Sequence, residues 1–392
     1  MKVIILGGSG AQGKAVAFDL AKNDSVEKII LADLNENELK RVARWINSPK
    51  CKTAIVDCSK EQAVAQLIQN ENAETIVCSV PWQITIPPLN AAIKCGINFV
   101  DFGLYHNKEF DDRFEEYDKK AKEAGSVIIP SCGLAPGITN MLAAYGVSKL
   151  DSAHTVEVYD GGNPEIPEPP LFYKTVWSIE GVWAQFTGSC WIIKDGTPTT
   201  IEAISGIETL EFEGLGIFEV AYTECLGTML HAYKHPVMKG VKNAYGKTIR
   251  WPGHYEKIIT FKECGFLKDE PVLCGGSAVV PRKFLTALLE PMLKLEADQR
   301  DMTLVKINSC GVLNGNDTTF SFELVDYKDL ETGILSMART TGFTGSILVD
   351  MINKGEFKKP GIVMPEQIGG DPVLFEQMIE EYRKRNIIIK EL

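Results

Sequence analysis

The sequence predicts an α/β protein of two parts, a doubly wound parallel sheet followed by an α+β domain whose sheet is mixed and largely antiparallel. Three observations predict it. A buried-strand run, Lys2-Val3-Ile4-Ile5-Leu6, enters the glycine loop Gly7-Gly8-Ser9-Gly10-Ala11-Gln12-Gly13 and then a helical stretch. Strand-like and helix-like stretches keep alternating up to Pro130, after which the apolar pattern changes to a two-residue period with hairpin signals. At 392 residues the chain also exceeds one usual hydrophobic core, so two domains are expected.

Gly8, Gly10 and Gly13 fit G-x-G-x-x-G, whose glycines serve a tight turn, close backbone approach to a pyrophosphate, and tight helix-on-strand packing. The helix start offers the N–H groups of Ala11 and Gln12 and a positive dipole end to phosphates. A second strand, Lys28-Ile29-Ile30-Leu31-Ala32, ends at Asp33, about twenty residues after Gly13. At that spacing a carboxylate meets the adenosine ribose hydroxyls of a dinucleotide. A carboxylate repels a 2′-phosphate and no Arg directly follows Asp33, so NAD is favoured over NADP. A glycine turn beside a surface Asp is the plain alternative, and strand, loop, helix and acid together outweigh it.

Asn35 with Glu38 reads as the cap of the next helix, carried by Leu39, Val42, Ala43 and Ile46. Thr53 to Asp57 reads as a third strand, and Ser59 with Gln62 as a capping box ahead of Ala63, Val64, Leu67 and Ile68. Thr75 to Pro81 is a fourth strand, and a helix opens at Pro87-Pro88 and closes at Gly96. Asn98 to Gly103 is the fifth strand, with Asp101 near its carboxyl end. One helix follows, from Asn107 as cap through Phe110, Phe114, Tyr117, Ala121 and Ala124 to Gly125, and Ser126 to Pro130 is the sixth strand. Parallel neighbours need helical crossovers, so these units make a Rossmann-type doubly wound sheet. Ligands of such sheets bind beyond the carboxyl ends of the strands, which puts Asp57, Ser79, Val80, Pro81, Asp101 and Cys132 near one crevice.

Cys132 to Asn140 is a turn-rich link into a helix of Met141, Leu142, Ala144 and Tyr145. Residues 1–133 are expected to form the dinucleotide-binding domain and 134–333 a substrate domain. In the latter Val156 and Val158 alternate with polar neighbours, as do Phe320, Phe322 and Leu324, and Asn314-Gly315 is a hairpin turn. Gly161-Gly162-Asn163-Pro164 through Pro169-Pro170 carries four prolines in seven residues, so neither a helix nor an inner strand is expected there. Stiff prolines flanked by Tyr159, Phe172, Tyr173 and Trp177 favour a shaped wall over a tether. In the tail, Thr341-Gly342-Phe343-Thr344-Gly345 is expected to open a helix bearing Ile347, Leu348 and Met351, and Asp371-Pro372 to cap a last amphipathic one.

Composition narrows the function. Apolar residues make up 45% and charged residues 24%, as in soluble globular proteins, and the net charge of −11 argues against a nucleic-acid or anionic-membrane partner. The first apolar run is too short for a signal-peptide core and no stretch reaches membrane-spanning length, so a cytoplasmic protein is expected. Ten cysteines are scattered singly with no C-x-x-C, which suggests neither a zinc cluster nor a disulfide framework. His231 and His235 have the spacing of a metal clamp, but no Glu follows His231 and Pro236 comes next, so no metal site is expected.

The chain resembles the saccharopine dehydrogenase superfamily over nearly its whole length, and within it the L-lysine 6-dehydrogenases. The resemblance rests on the glycine loop, Val100-Asp101-Phe102-Gly103, Cys132-Gly133-Leu134-Ala135-Pro136-Gly137 with Asn140, and the proline loop from Gly161-Gly162. It extends to Lys239-Gly240-Val241-Lys242-Asn243, Arg250-Trp251-Pro252-Gly253-His254 and Gly361-Ile362-Val363-Met364-Pro365-Glu366. Asn163 stands where relatives usually carry Leu before the proline, and Trp251 where Tyr is commoner. The resemblance implies NAD-dependent oxidative deamination of the lysine ε-amine, the resulting aldehyde cyclising to piperideine-6-carboxylate. It further implies that residues 334–392 pack back on the dinucleotide domain and that the chain forms a homo-oligomer.

Hydride leaves only a neutral amine, so the site needs a base or a desolvated pocket, together with a cation for the α-carboxylate. Asp101 is the first candidate for orienting the amine or taking its proton; the alternative is a strand-end Asp that caps the backbone of Tyr105 to Asn107. His254, in a Pro-Gly-His turn, is the second, because histidine titrates near neutrality, against the alternative of a structural hydrogen-bonder. Cys132 is a candidate contact for the nicotinamide pocket, with no nucleophilic role. Arg250 and Lys174 are candidate carboxylate anchors against a solvated-surface alternative, and Tyr173 and Trp177 a wall for the substrate's methylenes against ordinary core packing. Three functions remain open: an amine or amino-acid dehydrogenase, a saccharopine- or carboxynorspermidine-type reductase needing two or three cationic anchors, and a sensor that holds NAD without turnover.

Overall fold

Regular alternation starts at the first residues. In the computed structural model, which describes residues 1–104 and 107–392, β1 (Lys2–Leu6), α1 (Ala11–Ala21), β2 (Lys28–Asp33), α2 (Glu36–Ile46), β3 (Cys51–Ile55) and α3 (Glu61–Glu71) come first. They are followed by β4 (Thr75–Cys78), α4 (Ile86–Cys95), β5 (Asn98–Asp101), α5 (Lys108–Asp112), α6 (Phe114–Ala124), β6 (Val127–Ile129) and α7 (Ile138–Ser148). The middle of the chain holds β7 (Ser152–Pro164), α8 (Ile179–Phe186), β8 (Ser189–Lys194), β9 (Thr197–Glu202), β10 (Glu208–Phe212), β11 (Gly216–Tyr222) and α9 (Met229–Ala232). Next come β12 (Asn243–Arg250), α10 (His254–Glu263), β13 (Val272–Cys274), β14 (Ser277–Val279), α11 (Pro281–Leu293), β15 (Asp301–Leu313) and β16 (Asn316–Tyr327). The chain ends with α12 (Ser336–Asn353), β17 (Gly361–Ile362), α13 (Pro365–Gly369), α14 (Pro372–Lys384) and β18 (Ile389–Glu391). It divides into two compact units: Met1–Lys149, Gly227–Lys239 and Ala338–Asn386 form the first, and Leu150–Leu226, Gly240–Met337 and Ile387–Leu392 the second.

The first unit is built on a parallel sheet in the order β17-β6-β5-β4-β1-β2-β3. The order reverses between β1 and β4, the switch point at which such sheets bind ligands. Its central strands are Val/Ile-rich and buried along their length, as a sheet covered on both faces requires. Asn35 accepts from the Glu38 N–H and caps α2, and Asp371 caps α14. Other elements depart from expectation. The third strand runs Cys51–Ile55, two residues early, and Ser59 caps nothing: its hydroxyl donates to Asp57 and α3 begins after Lys60. The helix after Asn107 breaks at Arg113, whose guanidinium bonds Glu109 on one side and Glu116 on the other, and each half buries its own aromatic, Phe110 or Tyr117. Thr341 to Gly345 lie inside α12; a Cβ on Gly342 would stand 2.8 Å from Ala15 Cβ, so this glycine serves helix-to-helix contact and not a helix start.

The second unit carries a nine-stranded sheet whose main path is β10-β11-β12-β7-β15-β16-β18, with the β8–β9 hairpin branching from β12. β7 and β12 are parallel and the remaining pairs antiparallel. Asn314 and Gly315, both at positive φ, make the tight turn between β15 and β16. The expectation of no inner strand at Gly161 to Pro164 is overturned. β7 continues through these residues, pairing Gly161 with Leu304, Gly162 with Thr303 and Pro164 with Asp301. The glycines permit it, since a Cβ on Gly161 would lie 2.3 Å from Ile249 O, and the first proline falls on the last strand position.

Candidate active site

The glycine loop of the first unit is tied to its neighbours by backbone. Gly7 and Gly8 donate to Ala32 O at 3.0 and 3.1 Å, and Gly10 donates to Gly7 O at 3.0 Å. Gly7, which the G-x-G-x-x-G reading passed over, holds the tight turn: its φ is +75° and a Cβ there would lie 2.6 Å from Ser79 O. A Cβ on Gly13 would lie 2.4 Å from Gly7 O, so α1 approaches the loop more closely than any side chain allows. Gly10 brings no capping side chain to α1, whose start at Ala11 and Gln12 lies next to the switch point. Ser79, following β4, donates its hydroxyl to Leu6 O at 2.7 Å and sits opposite the loop; Val80 is half-buried and Pro81 exposed beside it. Asp33 Oδ2 accepts from Ser9 Oγ at 2.6 Å and Ser9 N at 3.2 Å, which holds the acid against the loop. Asp57 turns back on Ser59, whose hydroxyl and N–H hold its carboxyl below the usual range. The cradle of tight glycines, a helix start and Asp33 fits a dinucleotide.

Asp101 ends β5 and is fully buried. Oδ1 accepts the N–H groups of Gly103 (2.8 Å), Leu104 (2.6 Å) and Ser131 (3.3 Å), whereas Oδ2 has no hydrogen-bond partner among the described residues. Asp101 thus caps the backbone at Gly103 and Leu104 and not at Asn107, whose N–H goes to Leu104 O; residues 105 and 106 of the expected span lie outside the described residues. Burial pushes the Asp101 carboxyl up to about 6, against the pull of those N–H groups. Cys132 is buried with its thiol raised well above the usual range by burial, then by the charges of Glu366 and Asp101. A thiol held neutral is a contact surface. Beside it lies a grouping the sequence reasoning missed. Glu366 Oε1 accepts from Asn140 Nδ2 at 2.6 Å, and Thr228 Oγ1 lies 3.0 Å from both carboxyl oxygens, so one buried acid joins three distant segments. Asn140 and Glu366 each stood in a quoted motif, but no spacing rule links residues this far apart. His231 meets Asp111 at 3.0 Å and stacks on Phe114, and His235 accepts from Val237 N.

In the second unit the parallel ladder of β7 and β12 ends at Asp160 opposite Thr248. Arg250, two residues on, shares their face of the sheet. Past the ladder, Ile249 O accepts from Arg250 Nη1 at 2.8 Å and from Asn163 Nδ2 at 3.2 Å, so side chains fill the opening between the strands. Arg250 is 1% exposed, yet among the described residues it bonds only backbone carbonyls, Ile249 and Gly162 (3.5 Å), and its Nε has no partner. The rings of Tyr173 and Phe186 lie 5.0 and 5.8 Å from the guanidinium carbon. Tyr173 Oη is also buried without a partner.

His254 opens α10 after Gly253. Its Nδ1 donates to Leu171 O at 2.8 Å, which leaves Nε2 a bare acceptor, buried and unpartnered. Burial, then the Arg250 charge, push its pKa down to about 3, so it stays neutral where the sequence reading expected titration. The Arg-Trp-Pro-Gly-His turn also fastens the proline loop at both ends: Trp251 Nε1 donates to Pro164 O at 2.8 Å and His254 to Leu171 O. Tyr173, Arg250 and His254 therefore stand together. Lys174 does not join them, being 3.2 Å from Glu168 and bonded to Met292 O, and half-buried Trp177 packs over Gly181 against the aromatic cluster of Tyr173 and Trp183.

Asp160 is a member of this group that sequence reasoning missed, because only strand pairing brings it beside Arg250. Its Oδ1 is buried and unpartnered, and burial pushes the carboxyl up to about 6 although the Cys225 thiol and Arg250 oppose it. A raised carboxyl binds its proton more tightly in the native state. Its stability contribution is full below about pH 4, is lost as pH rises to about 6, and is flat above. Asp160→Asn is therefore expected to be more stable than the parent by up to ~3 kcal/mol near pH 7.5 and equal to it near pH 4. Urea unfolding at both pH values measures this; equal stability near pH 7.5 would show that the carboxylate is compensated.

Comparisons with known proteins agree over the full length. The saccharopine dehydrogenase NADP binding domain family matches residues 3–129, and the saccharopine dehydrogenase C-terminal domain family matches residues 133–388. The chain is 23% identical over 398 residues to carboxyaminopropylagmatine dehydrogenase of Synechocystis sp., covering 95% of this chain and 94% of that protein. It is 22% identical to the L-glutamate-forming, NADP(+) saccharopine dehydrogenase of Saccharomyces cerevisiae, covering 100% and 99%. Carboxynorspermidine synthase of Vibrio cholerae is 22% identical, covering 94% and 92%. The solved structure of the apo yeast saccharopine dehydrogenase superposes with a TM-score of 0.80 at 20% identity, covering 100% and 99%, and shares the fold.

Proposed function

Because the chain belongs to the saccharopine dehydrogenase family and is an oxidoreductase, we propose that it oxidises the ε-amine of lysine with NAD, giving an aldehyde that cyclises to piperideine-6-carboxylate. One observation carries the substrate class: Arg250, a buried guanidinium bonded among the described residues to backbone alone and walled by Tyr173 and Phe186. Such a group suits a single carboxylate at the end of a methylene chain. The neutral His254 Nε2 accepts a hydrogen bond from the substrate, and Tyr173 closes the wall. Asp101, ionised above about pH 6 and fixed through Oδ1, offers Oδ2 to the amine proton. When bound, the nicotinamide takes the hydride. The glycine loop and the Ala11 and Gln12 N–H groups hold the pyrophosphate, and Cys132 and Ser79 line the cofactor's path.

Asp33, held against the glycine loop by Ser9, supports NAD over the NADP of the yeast relative's name, since a carboxylate at the end of the second strand would repel a 2′-phosphate. Asp33→Ala is expected to weaken NAD binding about 10-fold and to narrow its advantage over NADP; an unchanged preference in fluorescence titrations would remove the acid from the ribose.

A second reading is favoured by the relatives, whose names are those of carboxyaminopropylagmatine, saccharopine and carboxynorspermidine enzymes: formation or oxidation of a secondary amine. Against it, Arg250 is one cation, and Lys174 is occupied by Glu168. Following NADH absorbance with L-lysine and with saccharopine separates the two. Turnover of L-lysine supports the first reading, turnover of saccharopine alone the second, and tight NAD binding with no turnover of any amine a sensor.

A further inference from the structure

We propose that Asp160 determines specificity: its Oδ1 receives the α-ammonium of an amino-acid ligand whose α-carboxylate is held by Arg250. This rests on the reading of the Arg250 cluster as the substrate site. Asp160 and Arg250 project from the same face of neighbouring parallel strands, two residues apart in register, at the point where the ladder stops. Opposite charges so placed would be expected to pair with each other. They do not: Arg250 spends its Nη1 on backbone carbonyls and keeps Nε unbonded, and Asp160 keeps Oδ1 unbonded, although both residues are more than nine-tenths buried.

Leaving two buried polar groups short of partners is costly for each. A zwitterionic head, with ammonium and carboxylate on one carbon, satisfies both at once. A ligand with the carboxylate alone satisfies Arg250 and leaves Asp160 charged and unmatched, which is the condition under which a polar site rejects an analogue strongly. Among the described residues, the Cys225 thiol offers the Asp160 carboxyl only a weak hydrogen bond, and Tyr255 gives its hydroxyl proton to Thr248 O. Asp160 thus reads the α-amine, a group remote from the ε-carbon at which oxidation is proposed.

Calorimetric titration of the NADH-loaded protein with matched ligands tests this: L-lysine against 6-aminohexanoate, and L-glutamate against glutarate, each pair differing by the α-amine. The parent is expected to prefer the amino acid of at least one pair by ~100-fold. Asp160→Asn is expected to bring that preference below about 5-fold by weakening the amino acid while leaving the desamino ligand unchanged or tighter. Asp160→Ala serves as a second variant, with thermal unfolding checked for both. Equal weakening of both members of a pair would overturn the proposal, because a residue that merely props Arg250 acts on the carboxylate common to both. The absence of any α-amine preference in the parent would overturn it too. If Arg250→Met leaves every affinity unchanged, the underlying reading of the site falls, and the assignment of Asp160 with it.

Discussion

Arg250→Met is expected to lower kcat/KM for the proposed amino-acid substrate by about 10²–10³-fold, most of it in KM, and to raise thermal stability. The first effect follows from removing the charge-assisted bonds to a carboxylate in a buried site, worth about 2–5 kcal/mol. The second follows from the setting of the guanidinium: it is buried, bonded to carbonyls of its own sheet, and makes no salt bridge among the described residues. A thioether of similar length fills the space between Tyr173 and Phe186 without that desolvation cost. A KM that does not move would remove Arg250 from the substrate, and a lower melting temperature would mean that the cation carries structural weight.

Gly13→Ala is expected to abolish useful cofactor binding, raising the NAD dissociation constant at least ~100-fold and lowering stability by about 1–3 kcal/mol. The added methyl meets Gly7 O at 2.4 Å and the Ser79 hydroxyl at 2.9 Å. Neither can retreat easily. Gly7 is fixed by its bond to Ala32 and by its own left-handed turn, and Ser79 is bonded to Leu6 O. α1 must therefore move away from β1 and take its N–H groups with it. Equilibrium NAD titration alongside chemical unfolding reads both effects, and near-parental affinity would mean that the helix start does not contribute to the cradle.

Much of the first unit was legible because its signals are local. A strand of β-branched residues, a glycine loop and an acid at fixed spacing are neighbours in sequence and remain neighbours in the sheet, and the Asn35, Asp371 and Gly96 caps act within one helical turn. Errors arose where tertiary contacts outweighed local preference. Gly161 to Pro164 read as a loop by composition, but glycine is what an inner strand needs when a neighbouring carbonyl stands where a Cβ would be. The same holds for Gly342 within α12. The candidate substrate group was legible as separate residues, Tyr173, Arg250 and His254, and not as a group. Asp160 lies ninety residues before Arg250, and only the β7–β12 register joins them. His254 carried the opposite lesson: residue type suggested a titrating imidazole, whereas burial beside a guanidinium holds it neutral.

The turn that fastens the proline loop bears on how such proteins diverge. Trp251 grips Pro164 and His254 grips Leu171, so two stretches more than eighty residues apart behave as one part. Asn163 and Trp251 both sit at that junction, Asn163 bonding the carbonyl of Ile249. A graft of the proline loop from a relative, made without residues 250 to 254, would carry one half of a lock and leave the key behind. A designer reshaping the proline loop here would have to alter both stretches together.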